Sequence, residues 1–226
     1  MINIKQQQLE IRGVVFDMDG LMFNTEDLYD EVTADVLARY GKTYSPEIKL
    51  QIMGTTARQA FDVMTRQLAL PVDFPTFQTQ IKEVFHHLLP DRIEKMPGLD
   101  QLLDTLESRG IPKGVATSSD RQFARTAMGC FDLEPRFEFV ITGDDVQQGK
   151  PHPEIYLASA KRLGIEPACM IALEDSFNGS TAAALAGAFT IAVPTHHSRH
   201  QDFSHADLVV TSLWDEQIVQ LFQGTS

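Results

Sequence analysis

Short apolar runs alternate along most of this chain with longer stretches in which apolar positions recur at helical spacing. Residues 11–16 (IRGVVF) are apolar and partly β-branched, and the run stops abruptly at Asp17, Asp19 and Gly20. That pattern reads as a buried parallel strand emptying into a loop. Similar runs stand at 114–116, 137–141, 170–173, 190–193 and 208–210, with helical patterns between them at 99–109, 121–128, 153–163 and 178–186. Alternation of this kind predicts βαβ units, and therefore an α/β, Rossmann-like core whose parallel sheet is covered by helices on both faces. Ligands of such a sheet bind at the carboxyl ends of its strands.

The alternation breaks between about residues 27 and 92. Helical patterns at 28–40, 46–53, 57–70 and 74–89 follow one another with no strand between them. This predicts an all-helical cap subdomain at 27–92 inserted into a catalytic core made of residues 1–26 and 93–226. The Gly20 loop marks its entry, and the turn pair Pro97-Gly98 follows its exit. There is no internal repeat, and the run Gln6 to Gln8 is expected to fray in solvent.

Composition narrows the class. With 43% hydrophobic and 22% charged residues in 226, the chain supports a packed core and not disorder or a coiled coil. The 31 acidic and 19 basic residues give a formal charge of −12, a field that repels nucleic acid and anionic lipid. Cys130 and Cys169 fit neither a metal-ligand spacing nor a disulfide framework, which favours a reducing cytoplasm. The N-terminus lacks an apolar signal core, and no window approaches the length of a membrane span. The expectation is a soluble, cytoplasmic monomer with no nucleic-acid or membrane partner.

Four segments carry candidate chemistry, each at a predicted strand end. Asp17 and Asp19 are two carboxylates two residues apart, suited to a divalent metal or to a nucleophile beside a general acid; Asp-x-Asp-Gly is also a common turn sequence. Thr117-Ser118-Ser119 ends a second strand in hydroxyls at the start of a helix, an arrangement that binds anions or simply caps the helix through Ser119 or Asp120. Lys150 lies in Gly-Lys-Pro-His-Pro, just before a helix whose first position suits Pro153, so rigid backbone holds a cation there. Glu174 and Asp175 close another strand with hard oxygen ligands, or with charges that suit a helix N-terminus.

Taken together, in the order acid pair, hydroxyl, lysine, acid pair, these segments resemble the haloacid dehalogenase superfamily of aspartate-nucleophile phosphotransferases, in its subfamily with a C1 helical cap. The resemblance covers essentially the whole chain. The runs DMDGLMFNTEDLY, GKPHPEIY and ALEDSFNG are most similar to phosphatases of small sugar and nucleotide phosphates, including pseudouridine-5′-phosphatase and 2-deoxyglucose-6-phosphatase, with β-phosphoglucomutase as a relative. It implies a phosphomonoesterase in which Asp17 is the nucleophile and Asp19 the general acid and then base. It further implies Mg2+ held by Asp17, the carbonyl of Asp19 and Asp175, with Glu174 acting through water. Thr117 and the Ser118 amide would bind phosphate oxygens, and Lys150 would neutralise charge on Asp17 and the phosphoryl group.

Substrate contacts are expected from Arg58, after the segment Met53 to Thr56, and from Asn24, where relatives commonly carry Asp. A phosphosugar mutase is the alternative enzyme, although the resemblance would then imply a histidine where Tyr29 stands and an arginine close to Ala57. A receiver domain shares the inventory of acids, hydroxyl and lysine but not its order or the helical insert. His196, His197, His200 and His205 lack the fixed spacing of a second metal site, while Phe123, Phe131, Phe137 and Phe139 read as core.

Overall fold

The computed structural model describes residues 10–52 and 57–223. The Gln6 to Gln8 run, and the segment Met53 to Thr56 that precedes Arg58, lie outside the described residues. Among those described, six strands form one sheet: β1 (Gly13–Phe16), β2 (Lys113–Ala116), β3 (Phe139–Ile141), β4 (Met170–Glu174), β5 (Phe189–Ala192) and β6 (Leu208–Val209). All neighbours are parallel and the order is β3-β2-β1-β4-β5-β6. The helices are α1 (Thr25–Arg39), α2 (Pro46–Ile52), α3 (Ala57–Leu68), α4 (Phe74–Arg92), α5 (Leu99–Ser108), α6 (Arg121–Gly129), α7 (Glu154–Leu163), α8 (Phe177–Ala186) and α9 (Glu216–Gln223).

The chain divides into two compact units, the described residues up to Met22 with those from Lys95 onward, and Phe23–Glu94; the helical period alone placed the insert at 27–92. The first unit contains the sheet. β1, β2 and β4 are buried along their whole length, as strands covered on both faces must be, and their small and β-branched residues suit that setting. Lys113 and Glu174 lengthen β2 and β4 beyond the apolar runs that announce them. The helices start and stop as their local chemistry dictates. Asp120 caps α6 by accepting from the Phe123 N–H at 2.9 Å, and Ser176 caps α8 by accepting from the Gly179 N–H at 3.1 Å. Gly164 and Gly187 end α7 and α8 in the left-handed conformation. Pro153 takes the capping position of α7, one residue before the first helical position expected for it.

On one face of the sheet Val15, Ala116 and Ala172 pack with Ile155 and Tyr156 of α7 and with Ala182, Ala183 and Ala186 of α8. Alanines there let helix backbone approach the sheet closely. Of the four phenylalanines expected in the core only Phe123 is buried. Phe131, Phe137 and Phe139 are half-buried, Phe139 within the edge strand β3. Helix α9 is not announced by the sequence pattern, because it rests on two fully buried anchors one turn apart, Ile218 and Phe222, in too short a segment to show a period. Register completes the frame. Phe16 lies opposite Val115 on one side and Leu173 on the other, so the residues that follow these three strands emerge side by side at the carboxyl edge.

In the helical unit Val32, Val36 and Leu37 of α1 and Val84, Phe85 and Leu89 of α4 are buried, and Tyr29 packs its ring 4.5 Å from that of Phe85. Asp73 caps α4 through the Thr76 N–H at 2.9 Å. None of the described helices is long and apolar enough to cross a membrane.

Candidate active site

The first acid, Asp17, leaves β1 with its N–H donating to the Leu173 carbonyl at 2.9 Å, which ties it to the central strand pair. The second, Asp19, is held by two hydroxyls from the loop after β2. Thr117 Oγ1 donates to Asp19 Oδ2 at 2.9 Å and Ser119 Oγ donates to the same oxygen at 2.8 Å. Thr117 Oγ1 also accepts the Ser119 N–H at 3.0 Å, so the loop is folded around its own side chain. A second loop braces the first. The Gly143 N–H donates to the Ser119 carbonyl at 2.9 Å, and a Cβ at Gly143 would stand 2.5 Å from the Ser118 carbonyl oxygen. Only glycine permits that approach. Capping of α6 falls to Asp120, which leaves Ser119 for Asp19 and Ser118 exposed.

Lys150 reaches this edge from the connection before α7, where the Lys150–Pro151 peptide is cis. Its side chain is 5% exposed, and its ammonium satisfies all three donors: Asp17 Oδ1 at 2.5 Å, Glu174 Oε1 at 2.6 Å and the Ala116 carbonyl at 2.9 Å. Burial works against its charge, but the Asp17 and Glu174 carboxylates override that penalty and hold the amine above its ordinary pKa. The outcome for Asp17 is opposite in sense. Burial pushes its carboxyl well up, Lys150 pulls it down, and repulsion from Glu174 and Asp19 adds to the rise. One ammonium shared among several buried acids stays charged without being able to neutralise them all.

Glu174 is fully buried at the end of β4. Its Oε1 accepts from Lys150 and from the Tyr156 hydroxyl at 2.6 Å, and its Oε2 accepts from Ser176 Oγ at 3.2 Å. Burial first, then the Glu174 charge, pushes the Tyr156 phenol well above its ordinary pKa, so it remains a donor. The carboxylate lies on Gly179, where a Cβ would come within 2.0 Å of it. Tyr156, Ser119 and Gly179 are contributions that sequence reasoning missed. Ser119 had a signal in the run of three hydroxyl residues, whereas Tyr156 and Gly179 had none beyond belonging to the quoted motifs.

The carboxylates of Asp17, Glu174 and Asp175 are all buried, and each offers an oxygen within 4.8 Å of the others. Three clustered buried carboxylates, two of them bonded to one ammonium, outnumber the positive charge available to them. A divalent cation that prefers hard oxygen ligands fits this donor set in both charge and chemistry.

The two residues expected to touch substrate lie in the helical unit and have partners of their own. Asn24 Oδ1 accepts the Glu94 N–H at 2.7 Å while the Asn24 N–H donates to the Glu94 carbonyl at 3.1 Å, which clasps the two ends of the insert. Arg58 pairs with Asp62 at 3.0 Å and places its guanidinium 5.3 Å from the centre of the Phe74 ring, with 64% of its side chain exposed. His205 lies against α8, its Nε2 2.8 Å from Ser180 Oγ.

The phosphorylated carbohydrates phosphatase of Thermotoga maritima is 33% identical to this chain over 177 residues, 78% of this chain and 82% of that protein. A Drosophila melanogaster protein named "Probable pseudouridine-5'-phosphatase" is 36% identical over 214 residues, 91% of each chain. Among solved structures, CbbY from Rhodobacter sphaeroides in complex with phosphate superposes with a TM-score of 0.79 at 27% identity, over 90% of this chain and 95% of that chain. The family described as haloacid dehalogenase-like hydrolase matches residues 14–193, a span that begins inside β1 and runs past the ends of β2, β3, β4 and β5. A match of that extent, through the segments that meet at the sheet edge, makes this chain a member of the haloacid dehalogenase-like hydrolases.

Proposed function

We propose that the protein is a magnesium-dependent phosphomonoesterase that acts through an aspartyl-phosphate on a small phosphorylated metabolite, such as a sugar phosphate or a nucleoside monophosphate. The observation that carries this reading is the hold of Thr117 and Ser119 on Asp19. A carboxyl group fixed two residues from the nucleophile supplies the proton that an ester oxygen needs in order to leave. The names of the relatives, a phosphorylated carbohydrates phosphatase and a probable pseudouridine-5'-phosphatase, support the substrate class.

In this reading a carboxylate oxygen of Asp17 attacks phosphorus and the bond to the ester oxygen breaks, with the proton of Asp19 going to that oxygen. Asp19 then takes a proton from water, the water oxygen bonds to phosphorus, and the bond to Asp17 breaks to give inorganic phosphate. Lys150 offsets the negative charge on Asp17 that would repel a phosphate dianion, and the Ser118 amide binds a phosphoryl oxygen, joined by Thr117 when its hydroxyl turns from Asp19 to the phosphate and Ser119 alone holds the acid. Mg2+ would be held by Asp17, the carbonyl of Asp19 and Asp175, with Glu174 assisting through water, and it supplies charge neutralisation and alignment for the transfer. Arg58 and Asn24 remain the proposed substrate contacts of the helical unit.

The test is a screen of phosphorylated sugars and nucleotides with Mg2+, read by phosphate release, alongside Asp17→Asn and an excess of chelator. Wild-type turnover that both treatments abolish is the expected result. Isomerisation of a sugar phosphate without phosphate release would establish a mutase instead, and turnover by folded Asp17→Asn would remove Asp17 from the mechanism.

A further inference from the structure

Tyr156 takes no part in the reaction just outlined, yet it is a fully buried polar side chain beside groups that do. It projects from α7, six residues beyond Lys150 on the same stretch of chain. Its hydroxyl donates to Glu174 Oε1 at 2.6 Å, the same oxygen that accepts from Lys150 at 2.6 Å, and the Lys150 ammonium stands 5.2 Å from the centre of its ring. A phenylalanine would fill the same space. The hydroxyl is therefore the part of the residue that packing does not explain.

A glutamate side chain has three rotatable bonds, and Glu174 fixes Lys150 only if its own carboxylate is fixed. Ser176 anchors Oε2 at 3.2 Å, a long contact, and Gly179 provides a floor without a bond. The short bond from Tyr156 is what sets the position of Oε1. We propose that Tyr156 is a positioning residue: its hydroxyl pins the Glu174 carboxylate, and Glu174 thereby holds the Lys150 ammonium against Asp17 at the place where phosphoryl charge develops. The activity arm of this inference rests on the phosphomonoesterase reading, whereas its structural arm does not.

The experiment pairs Tyr156→Phe with Glu174→Gln and the double variant, and follows both turnover and the 1H–15N signal of the Lys150 ammonium, assigned by its loss in Lys150→Arg. In Tyr156→Phe the ammonium signal should shift or broaden through faster hydrogen exchange. Its kcat should fall about tenfold, the scale of one hydrogen bond to a charged group. In the Glu174→Gln background the same change should cost nothing further, because the path through Glu174 is already broken. An unchanged ammonium signal, an unchanged kcat, or an equal loss in both backgrounds would each overturn the proposal. If Tyr156→Phe does not fold, the wild-type protein decides: a slowly exchanging Tyr156 hydroxyl proton with a cross-relaxation contact to the Lys150 ammonium supports the link, and its absence refutes it. A wild-type protein that releases no phosphate from any ester would overturn the reading of function, and the spectra would still judge the link.

Discussion

The carboxylate of Glu174 occupies the space that a side chain at Gly179 would need, with the Cβ position of residue 179 only 2.0 Å from the Glu174 carboxyl atoms. In most helices Gly→Ala is a gain of up to about 1 kcal/mol. Here the methyl would displace either a fully buried charged group or the helix itself, and overpacking of that kind costs about 1–3 kcal/mol. Gly179→Ala should therefore lower the unfolding midpoint and, by moving Glu174 off Lys150, cut phosphate release by roughly tenfold or more. Gly129, which ends α6 with open space around it, supplies the contrast: Gly129→Ala should be neutral or stabilising. Equal thermal midpoints for the two variants would contradict the packing described at Glu174.

Lys150 is the sole cation hydrogen-bonded to either Asp17 or Glu174 among the described residues. Lys150→Met should abolish turnover and destabilise the fold by about 3 kcal/mol or more, since removing one partner of a buried pair leaves the other charge uncompensated. Added Mg2+ should recover part of that stability, because a cation at the carboxylates stabilises the native state by mass action. Denaturant titration with and without the metal measures both effects.

Asp19→Asn should leave Mg2+ binding intact, since the proposed ligand there is the backbone carbonyl. Turnover should fall roughly 10²-fold or more, the scale of general acid–base catalysis. In single-turnover kinetics the phosphorylation step should suffer less with a nitrophenyl ester, whose leaving group needs no proton, than with an alkyl sugar phosphate. Equal slowing of both esters, or lost metal affinity in calorimetry, would give Asp19 a different role.

At the opposite end of the sheet Glu107 bonds Arg136 through both oxygens at 2.8 Å, and Lys113 stands 3.0 Å away. Arg136 chiefly, with Lys113 helping and partial burial opposing, lowers the Glu107 carboxyl from 4.5 to about 2. A carboxyl depressed on folding contributes stability in full above its unfolded value and loses it as pH falls through the folded one. Glu107→Gln should thus flatten the acid limb of the stability curve between about pH 4.5 and pH 2 and leave pH 7 activity unchanged. Urea midpoints across that range, parallel in the two proteins, would refute the assignment.

The strands and the helices that cover them could be read from periodicity because each buries a continuous apolar run or stripe. Charged strand ends such as Lys113 and Glu174 escape that reading, as does α9 with its two anchors. Individual chemical groups at the strand ends were visible for the same reason that they are isolated: Asp17, Asp19, Thr117, Lys150, Glu174 and Asp175 interrupt apolar runs or sit between turn residues. What supports them was not visible. Tyr156 looks like any aromatic on a helix, and Gly179 like a weak point in one. Their meaning depends on α7 and α8 converging on one carboxylate, and no spacing along the chain encodes that distance. Asn24 is similar, since the bond its side chain accepts from the Glu94 N–H joins residues 70 apart, which no spacing within its motif reveals.

The strand order has a consequence for the making of the protein. β1, the first of the described strands in chain order, lies between β2 and β4, so the groups that meet at its end come from chain segments translated far apart in time. A growing polypeptide that carries Asp17 but has not reached Met170 lacks the strand that brings Glu174 and Asp175 to it. Such a nascent chain carries Asp17 and Lys150 without the Glu174 carboxylate that bonds the same ammonium. The complete group of Asp17, Lys150 and Glu174 therefore arrives late in translation, together with the closure of the sheet centre.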